Sequence, residues 1–555
     1  MQLARISIEN FRGISRLSLD LDRDTVIIGE NNHGKTSLLD VLDRCLGPGD
    51  DGDSPGWEYR DFRRGPEGVV GPIRVVLEFE PTSEGTPGPI TERLFAPALT
   101  PGPAGVDRLR VEFSGQPGSG GMNARLLDGE GAPLQVSSPE VVLKQLRRMH
   151  PVFLVRLAQP PPEADLEWVS RTDSREFDAS DGDDAEEAIT QVYHRLLRTR
   201  GAIPTEEVRR GLQAIRSLGA PEGEGGALHG AVGRMMQRLV SDASEGAPPA
   251  AAGSGSHSLG LLMVLGALLE ARGASSMDLE ANPIIVIEEP EVHLHPMLLS
   301  STWHAIKGLQ AQTVVTTNSG ELLAEVPLAN LRRLVRRRDR IEAYRLREGT
   351  LSADALRRVA YHVRAKRGVT LFARCWLLVE GETEFWLLQE LARVLGYDLS
   401  AEGVRCMEFA QCGVAPLLRL ANDLGIHWHL LSDGDQTGIA FADDAARQVQ
   451  GGRRRDHVTL LQRRNVEMLL WDAGFQDVYL KAAGLPPSAP SGPEAERPSP
   501  RKVVERAVRA HSKPYLALLV AEECGRRGRE SVPPSLRRVI DASVRLARGA
   551  VESGL

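Results

Sequence analysis

A glycine-rich segment at residues 29–36, Gly-Glu-Asn-Asn-His-Gly-Lys-Thr, limits how this chain can fold more than any other feature of the sequence. It matches the pattern G-x-x-x-x-G-K-[ST], which needs a buried strand, a tight turn and the start of a helix, in that order. The apolar residues Val26 to Ile28 supply the strand, and apolar residues at helical spacing follow the match. The segment therefore predicts an α/β fold in which backbone N–H groups of the turn surround the phosphates of a nucleotide.

We expect this segment to bind ATP together with one Mg²⁺. Lys35 is placed to reach the β- and γ-phosphates, and the hydroxyl of Thr36 is placed to ligate the metal ion. Only seven of the 67 basic residues are lysines, so a lysine within a motif is informative whereas an arginine is not. The predicted nucleotide-binding residues of the segment are Gly29, Asn31, Asn32, Gly34, Lys35, Thr36 and Ser37.

A second apolar strand, Ile284 to Ile287, delivers two carboxylates, Glu288 and Glu289, to its C-terminal end. Nucleotide triphosphatases hold Mg²⁺ and polarise water with acids in this position. We assign Glu288 to the shell of the metal and its water, and Glu289 to the general base. The alternative is a solvated helix start, because the sequence Glu-Glu-Pro-Glu also suits a helix N-terminus.

Two further strands end in acids in the C-terminal part of the chain. Trp376-Leu-Leu-Val precedes Glu380 and Glu384, and His429-Leu-Leu-Ser precedes Asp433 and Asp435. Open α/β sheets place their sites at the carboxyl ends of strands, so the four carboxylates are expected to converge. Together they would repel one another unless they share divalent cations, Mg²⁺ or Mn²⁺, and two such ions serve phosphodiester displacement. The alternative is a set of unrelated surface acids.

The overall composition limits partners and location. The chain has 555 residues and a formal charge of −8, so it is long enough for several domains and has no global positive field to attract nucleic acid. Local arginine clusters at 332–333, 336–338 and 453–455 could neutralise phosphates, or they could be solvated faces. Five scattered cysteines without C-x-x-C spacing fit a reducing cytosol. The longest apolar run, 259–269, is too short to span a bilayer, which predicts a cytoplasmic protein without membrane contact.

The order of the glycine-rich segment, GSGSHSL, IIVIEEPEVHLHP and VVTTNSGEL resembles the ABC-type ATPases of the DNA-repair and SMC branch. Within that branch the chain is most similar to the OLD (overcoming lysogenization defect) family. The resemblance implies that Ser254 and Gly255 belong to the signature segment, which contacts ATP held by a partner subunit. It also implies a D-loop at 291–296, although His293 and His295 could instead suggest a metal cluster. Asn318 takes the place of a switch residue that is usually histidine, and this puts the hydrolysis rate in doubt more than ATP binding.

The pattern VEG-x-T-E…D-G-D-x-x-G resembles the Toprim domain of topoisomerases, primases and OLD nucleases. The match implies that Glu380 is a metal ligand and possible acid or base, and that Glu384, Asp433 and Asp435 are further ligands. Glu467 would complete the second metal site. Lys513 would neutralise charge on the transition-state phosphate, although it could also be an ordinary surface lysine.

The resulting interpretation is an ABC-type P-loop ATPase interrupted by a helical dimerisation insertion and followed by a Toprim domain with C-terminal helices. The predicted boundaries are 1–162 and 249–360 for the ATPase, 163–248 for the insertion and 370–555 for the Toprim part. The predicted activity is cleavage of DNA by a homodimeric endonuclease in defence against foreign DNA or in repair. A neighbour-encoded partner, such as a helicase, fits the same picture. Two alternatives stay open: an ATP-driven DNA clamp or sensor without nuclease activity, and an RNA-processing Toprim enzyme.

Overall fold

The computed structural model describes most of the chain on either side of a long central gap. The chain divides into two units, Met1–Ala343 and Tyr344–Leu555, and each is described here by itself. Residues 344–360, which the sequence assigns to the ATPase part, group with the second unit. The described residues are 1–47, 56–65, 68–69, 71–82, 89–102, 105–118, 121–156, 280–292, 299–309, 311–451, 453–486 and 499–552.

Strands dominate the first unit. They are β1 (Gln2–Phe11), β2 (Ile14–Asp20), β3 (Asp24–Gly29), β4 (Arg64–Gly65), β5 (Gly68–Val69), β6 (Ile73–Glu80), β7 (Thr100–Pro101), β8 (Asp107–Gly115), β9 (Asn123–Leu127), β10 (Val152–Arg156), β11 (Ile284–Glu288), β12 (Gln312–Thr316), β13 (Leu331–Arg336) and β14 (Ile341–Tyr344). Its described helices are α1 (Lys35–Leu46), α2 (Pro89–Phe95), α3 (Pro139–Met149), α4 (Leu299–Lys307) and α5 (Gly320–Glu325).

An antiparallel sheet in the order β2-β1-β6-β8-β7, with β9 paired to β8, forms one layer of this unit. The central strand β1 pairs Ile6 with Leu19 on one side and with Leu77 on the other. All three side chains are fully or almost fully buried. Burying an aliphatic side chain of this size stabilises the fold by about 1.5–3 kcal/mol, so the apolar alternation fixes which face of the sheet points inward.

A second sheet has the order β10-β11-β12-β3-β13-β14, and its strands from β10 to β13 pair in parallel. Ile284 to Ile287 in β11 are completely buried, as expected for a strand with both faces covered. The predicted strands before the glycine-rich turn and before Glu288 are therefore confirmed. Because β11, β12 and β3 lie side by side, the turn after β3 and the acids after β11 reach the same edge of the sheet.

The arginine-rich stretch behaves differently from the prediction. It contains β13, in which Arg332 and Arg333 are almost completely buried. Arg332 donates from Nε to the Asp20 carbonyl oxygen at 2.9 Å and from Nη2 to the Asp22 carboxylate at 2.5 Å. Their burial means that these two arginines are neither a phosphate-binding patch nor a solvated face, and Arg332 instead satisfies carbonyl and carboxylate groups within the fold. The 453–455 cluster is exposed, as one of the two predictions expected.

The second unit is built around a parallel sheet in the order β16-β15-β17-β18. Helices pack on this sheet, and the chain ends in three of them, as the sequence predicts. The elements are β15 (Cys375–Val379), β16 (Val404–Glu408), β17 (His427–Ser432) and β18 (Val458–Leu460), with α6 (Ala353–Arg367), α7 (Glu382–Leu395), α8 (Val414–Asp423), α9 (Gln436–Ala446), α10 (Arg454–His457), α11 (Val466–Asp472), α12 (Gln476–Ala482), α13 (Pro500–Ala510), α14 (Lys513–Arg527) and α15 (Pro534–Glu552).

Several predictions fall outside the described residues. These are the helical insertion at 163–248, the signature residues Ser254 and Gly255, and the pair His293 and His295. Among the helices that the structure describes, none combines the length and apolar character needed to cross a membrane.

Candidate active sites

The glycine-rich turn in the first unit has the backbone shape that its sequence predicts. Asn32 and Gly34 both have positive φ, 68° and 86°, in the left-handed region. A Cβ atom on Gly34 would lie 2.8 Å from Ile341 Cδ1, so this position is closed to other residues by both conformation and space. Asn31, Asn32 and Thr36 are exposed and Ser37 is half-buried, which leaves the inside of the turn accessible to a phosphate group.

Lys35 is buried at the first position of α1. Its Nζ atom donates a hydrogen bond of 2.5 Å to the Gly29 carbonyl oxygen, across the mouth of the turn. Burial lowers the pKa of Lys35, and the nearby carboxylates of Glu289 and Glu291 partly offset that effect. A buried ammonium group with a carbonyl as its closest partner is suited to an anionic ligand, and a nucleotide phosphate is one.

The end of β11 meets the start of α1 through Glu288 and Thr36. The Thr36 hydroxyl donates to Glu288 Oε1 at 2.6 Å, and Arg156 donates from Nε to Glu288 Oε2 at 2.9 Å. The structure thus brings together the two side chains that were predicted to hold the nucleotide's Mg²⁺. One hydroxyl and one carboxylate oxygen within hydrogen-bond distance form a donor pair that suits this ion.

Glu289 and Asn318 are also brought together. Glu289 has a positive φ of 48°, and its backbone N–H donates to the Thr316 carbonyl oxygen at 3.0 Å. The side-chain amide of Asn318 donates to Glu289 Oε1, and the backbone N–H of Asn318 donates to Glu291 Oε1 at 2.7 Å. The predicted switch residue therefore contacts the predicted general base directly.

The sequence analysis did not place two residues in this site: it did not note Arg156, and it noted Arg336 only as part of the arginine cluster at 336–338. Arg156, at the end of β10, forms ion pairs with both Glu288 and Asp40. Arg336, at the end of β13, donates from Nε to the Asn32 carbonyl oxygen and from Nη1 to that of Gly13, each at 2.9 Å, and so holds the glycine-rich turn. No local pattern singles these arginines out, because arginine makes up nearly all of the basic residues.

In the second unit, Glu380 follows β15 and Asp433 follows β17. The two strands are parallel neighbours, with Leu377 opposite His429 and Leu378 opposite Leu430. Both carboxylates therefore leave the sheet at the same carboxyl edge, as predicted. Glu384, on the helix that follows Glu380, lies buried in the first turn of α7, where its Oε2 accepts a hydrogen bond of 3.2 Å from the Gly381 N–H.

The charges of these acids act strongly on one another. Burial, together with the nearby carboxylates of Glu384, Glu380, Glu467 and Asp435, raises the pKa of Asp433 to about 8. Burial likewise raises the pKa of Glu384 to about 7, and it raises the pKa of Glu380. Mutual repulsion of this kind requires the acids to share one region of the unit, which is the arrangement that the sequence predicts.

Glu467 and Lys513 join the same region. Glu467 is 3% exposed in the first turn of α11, which begins after Asn465 caps it by accepting from the Met468 N–H at 3.1 Å. Lys513 Nζ lies 2.8 Å from Glu467 Oε1. Lys513 was predicted to neutralise phosphate charge, and in this structure it neutralises Glu467. Asp435 caps α9 instead, accepting from the Gly438 N–H at 2.8 Å.

The donor set of this region fits divalent cations. Oε2 of Glu380 and Oε2 of Glu467 are buried and have no hydrogen-bond partner among the described residues. Hard cations bind such carboxylate oxygens, and their charge removes the repulsion that raises the pKa values. Across the residues that the structure covers, no group of three acidic, histidine or cysteine side chains is close enough to hold an ion.

The fold and the two sites define the class of protein. The first unit has its glycine-rich turn and its acid-tipped strand at the same edge of one parallel sheet, which is the arrangement that the sequence predicts for an ABC-type ATPase fold. The second unit is a Toprim α/β domain followed by helices.

Comparison with protein families agrees with this class. A family model described as "Protein of unknown function (DUF2813)" matches residues 1–221 and 239–370, and the chain belongs to that family. A second model, "Overcoming lysogenization defect protein-like, TOPRIM domain", matches residues 371–435. The resemblance to OLD proteins stated from the sequence is thereby confirmed.

Two relatives and two solved structures are similar to the chain. The "Uncharacterized protein YbjD" of Escherichia coli (strain K12) is 35% identical over the full length of both chains. The "OLD nuclease" of Thermus scotoductus (strain ATCC 700910 / SA-01) is 25% identical, covering 81% of this chain and 85% of that protein. The SMC head domain from Thermotoga maritima aligns with a TM-score of 0.33 at 15% identity, covering 62% of this chain and all of that one. The C-terminal region of the Burkholderia pseudomallei OLD protein aligns with a TM-score of 0.25 at 15% identity, covering 32% of this chain and 99% of that one.

Proposed function

We propose that the protein is an ATP-binding, divalent-metal-dependent DNA endonuclease that cleaves phosphodiesters at the Toprim carboxylates. The observation that carries this proposal is that Glu380, Glu384 and Glu467 all lie near enough to Asp433 to raise its pKa, with Lys513 ion-paired to Glu467. Four carboxylates and one ammonium group leave an excess of negative charge in a partly buried region. Such a cluster suits metal-assisted phosphoryl chemistry better than a purely structural role.

The roles of the side chains follow from their surroundings. When bound, two Mg²⁺ or Mn²⁺ ions supply activation of water and stabilisation of the leaving oxygen. Glu384, Asp433, Asp435 and Glu467 would hold these ions, and Glu380, whose pKa burial raises, would serve as a further ligand and as the acid or base. Lys513, now paired with Glu467, would turn to the phosphate to neutralise the negative charge that builds there.

ATP binding is proposed at the glycine-rich turn. Lys35, Thr36 and Glu288 would contact the phosphates and one Mg²⁺, while Glu289 would act as general base for hydrolysis. Asn318 donates a neutral amide to Glu289, whereas a histidine could also carry charge. We therefore propose that this site hydrolyses ATP slowly and that its main contribution to function is nucleotide binding.

The assembly and the biological role are proposed on the same basis. ABC-type sites are completed by the signature segment of a second subunit, so a homodimer supplies Ser254 and Gly255 to the partner's ATP. The similarity to a protein titled OLD nuclease suggests a role in defence against foreign DNA or in DNA repair, alone or with a neighbour-encoded partner such as a helicase.

The test is incubation of the full-length protein with supercoiled plasmid or with RNA, in Mg²⁺, Mn²⁺ or EDTA, each with and without ATP. We expect metal-dependent nicking of the plasmid that exceeds any degradation of RNA. Binding of DNA without cleavage in either metal would contradict the proposal and favour a clamp or sensor, and preferential cleavage of RNA would favour an RNA-processing enzyme.

A further inference from the structure

An aromatic pair stands at the start of α14, directly beside the carboxylate region. The rings of His511 and Tyr515 have centroids 5.3 Å apart and planes inclined by 34°. Both side chains are exposed, and Tyr515 keeps 48% of its surface in contact with solvent. The next residues, Leu516 and Ala517, are buried, so the helix turns its apolar face inward and presents Tyr515 outward. This exposed ring contributes nothing to the core.

Lys513 connects the aromatic pair to the acids. It lies between His511 and Tyr515 in the chain, and its Nζ atom is 2.8 Å from Glu467 Oε1. The start of the helix is fixed by Ser512, whose side chain caps it by accepting from the Tyr515 N–H at 3.4 Å. The position of the Tyr515 backbone is therefore tied to that of the carboxylates.

Exposed arginines lie on the elements that lead to Glu467 and Lys513. The loop before α11 approaches the acids, since the Gly434 N–H donates to the Arg463 carbonyl oxygen at 3.0 Å, and Arg464 is exposed on that loop. Glu505 on α13 bonds Arg501 at 2.7 Å, and the charges of Arg509 and Arg464 also act on Glu505. The helices α11 and α13 pack together. This places several guanidinium groups around the two helices that lead to Glu467 and Lys513.

We propose that this surface binds single-stranded DNA, with an unpaired base stacked on Tyr515 and the backbone phosphates held by the arginines. We call it the stacking surface, and it consists of Arg464, Arg509, His511, Lys513 and Tyr515. The proposal rests on the nuclease function proposed above and adds the form of its substrate. A carboxylate cluster repels a phosphodiester, so cations at its rim are needed to bring the strand close. An exposed tyrosine offers a stacking face that only an unpaired base can use, since the bases of a duplex already stack on one another.

Binding of fluorescein-labelled oligodeoxynucleotides to the full-length protein in Ca²⁺ tests the proposal without relying on cleavage. Tyr515→Ala should weaken binding of a single strand about 10-fold, because stacking on an aromatic side chain contributes about 1–3 kcal/mol per base. The same change should alter duplex binding about 2-fold or less, and Tyr515→Trp should keep the wild-type affinity. Tyr361→Ala is the matched control, since Tyr361 is also exposed (69%) but lies on α6, which packs against α8.

A second set of variants tests the contribution of the arginine charges to binding. Replacing Arg464 and Arg509 together by serine should weaken single-strand and duplex binding alike and reduce the slope of log affinity against log salt by about 1. The stacking proposal fails if Tyr515→Ala binds the single strand as tightly as Tyr361→Ala does, or if it loses duplex and single strand equally. Tighter binding of an RNA strand of the same sequence would overturn the assignment to DNA. If the wild type binds single strands through Tyr515 but cuts no DNA in Mg²⁺ or Mn²⁺, the nuclease function fails while the stacking surface stands.

Discussion

The two acid-bearing sites of this protein differ in how their carboxylates are neutralised. At the ATP site, Glu288 accepts from Thr36 and Arg156, and Glu289 accepts from Asn318. At the Toprim site, Asp433 and Glu384 have strongly raised pKa values because they are buried among other carboxylates. Internal donors thus satisfy the first site, whereas the second has few, and we expect it to need an external cation.

This difference indicates which kind of ligand each site is suited to bind. A carboxylate that already has hydroxyl, guanidinium and amide donors needs only small rearrangements to accept a nucleotide and its Mg²⁺. A cluster of carboxylates with a single ammonium partner is costly until a divalent ion enters, so metal binding should change both its stability and its chemistry. We therefore expect a substitution at one site to leave the activity of the other site intact, and the following changes test this expectation.

The largest effect is expected at Lys35. Lys35→Ala should weaken binding of a fluorescent ATP analogue by about 100-fold or more, because truncating one partner of a buried charged pair costs about 2–5 kcal/mol. Basal nicking of plasmid should persist, since no Toprim carboxylate is changed. Lys307→Ala, an exposed lysine at the end of α4, is the control and should bind the analogue normally. Equal loss of ATP binding and of basal nicking would show that the sites are not separable.

The next effect is expected at Lys513. Lys513→Ala should slow plasmid cleavage on the order of 10-fold to 100-fold, as removal of a charge-stabilising donor does. Its loss should leave Mn²⁺ affinity unchanged or increased, because the partner carboxylate Glu467 becomes free to bind metal. Isothermal titration with Mn²⁺ and a cleavage time course measure the two quantities. Lys502→Ala, which removes an exposed lysine on α13, should change neither, and a weakened Mn²⁺ affinity in Lys513→Ala would assign the lysine a structural role.

A smaller effect is expected at Asn318. Asn318→His should leave ATP hydrolysis unchanged or raise it a few-fold, because an imidazole can keep the contact with Glu289 and also carry a proton. Steady-state phosphate release measures the change, with Lys35→Ala as the inactive reference. Complete loss of hydrolysis would mean that Asn318 does not occupy the switch position.

How much of these sites the sequence predicts depends on how far apart in the chain the interacting residues lie. The acids Glu380 and Asp433 and the turn at Lys35 were predicted because each follows a contiguous apolar strand that marks its own position in the chain. The roles of Arg156 and Arg336 were not predicted, because each arginine contacts a partner that lies more than a hundred residues away in the chain. Neither interpretation of the arginine cluster at 332–333 anticipated its burial, and for Arg332 the reason is the same: its partners Asp20 and Asp22 belong to a distant segment.

The smallest effect is a pH dependence of stability in the metal-free protein. Asp433 has a folded pKa of about 8 against an ordinary value of 3.8, so the folded chain keeps a proton that the unfolded chain releases. Its contribution to stability is therefore present at low pH and is lost as pH rises from about 4 to 8. Asp433→Asn should raise the melting temperature in EDTA by about 2 °C or more at pH 8 and by less at pH 5. An equal shift at both pH values in a fluorescence melt would contradict the repulsion among the carboxylates.

The most direct test of the central claim is one plasmid-nicking assay in Mn²⁺ that compares Asp433→Ala with Asp443→Ala. Asp443 is an exposed aspartate of α9 that pairs with Arg454 outside the carboxylate cluster. Asp433→Ala should reduce the nicking rate on the order of 100-fold or more while leaving ATP hydrolysis intact, and Asp443→Ala should match the wild type in both. Nicking at the wild-type rate by purified Asp433→Ala would contradict the account, because the chemistry would then lie elsewhere than at the Toprim carboxylates.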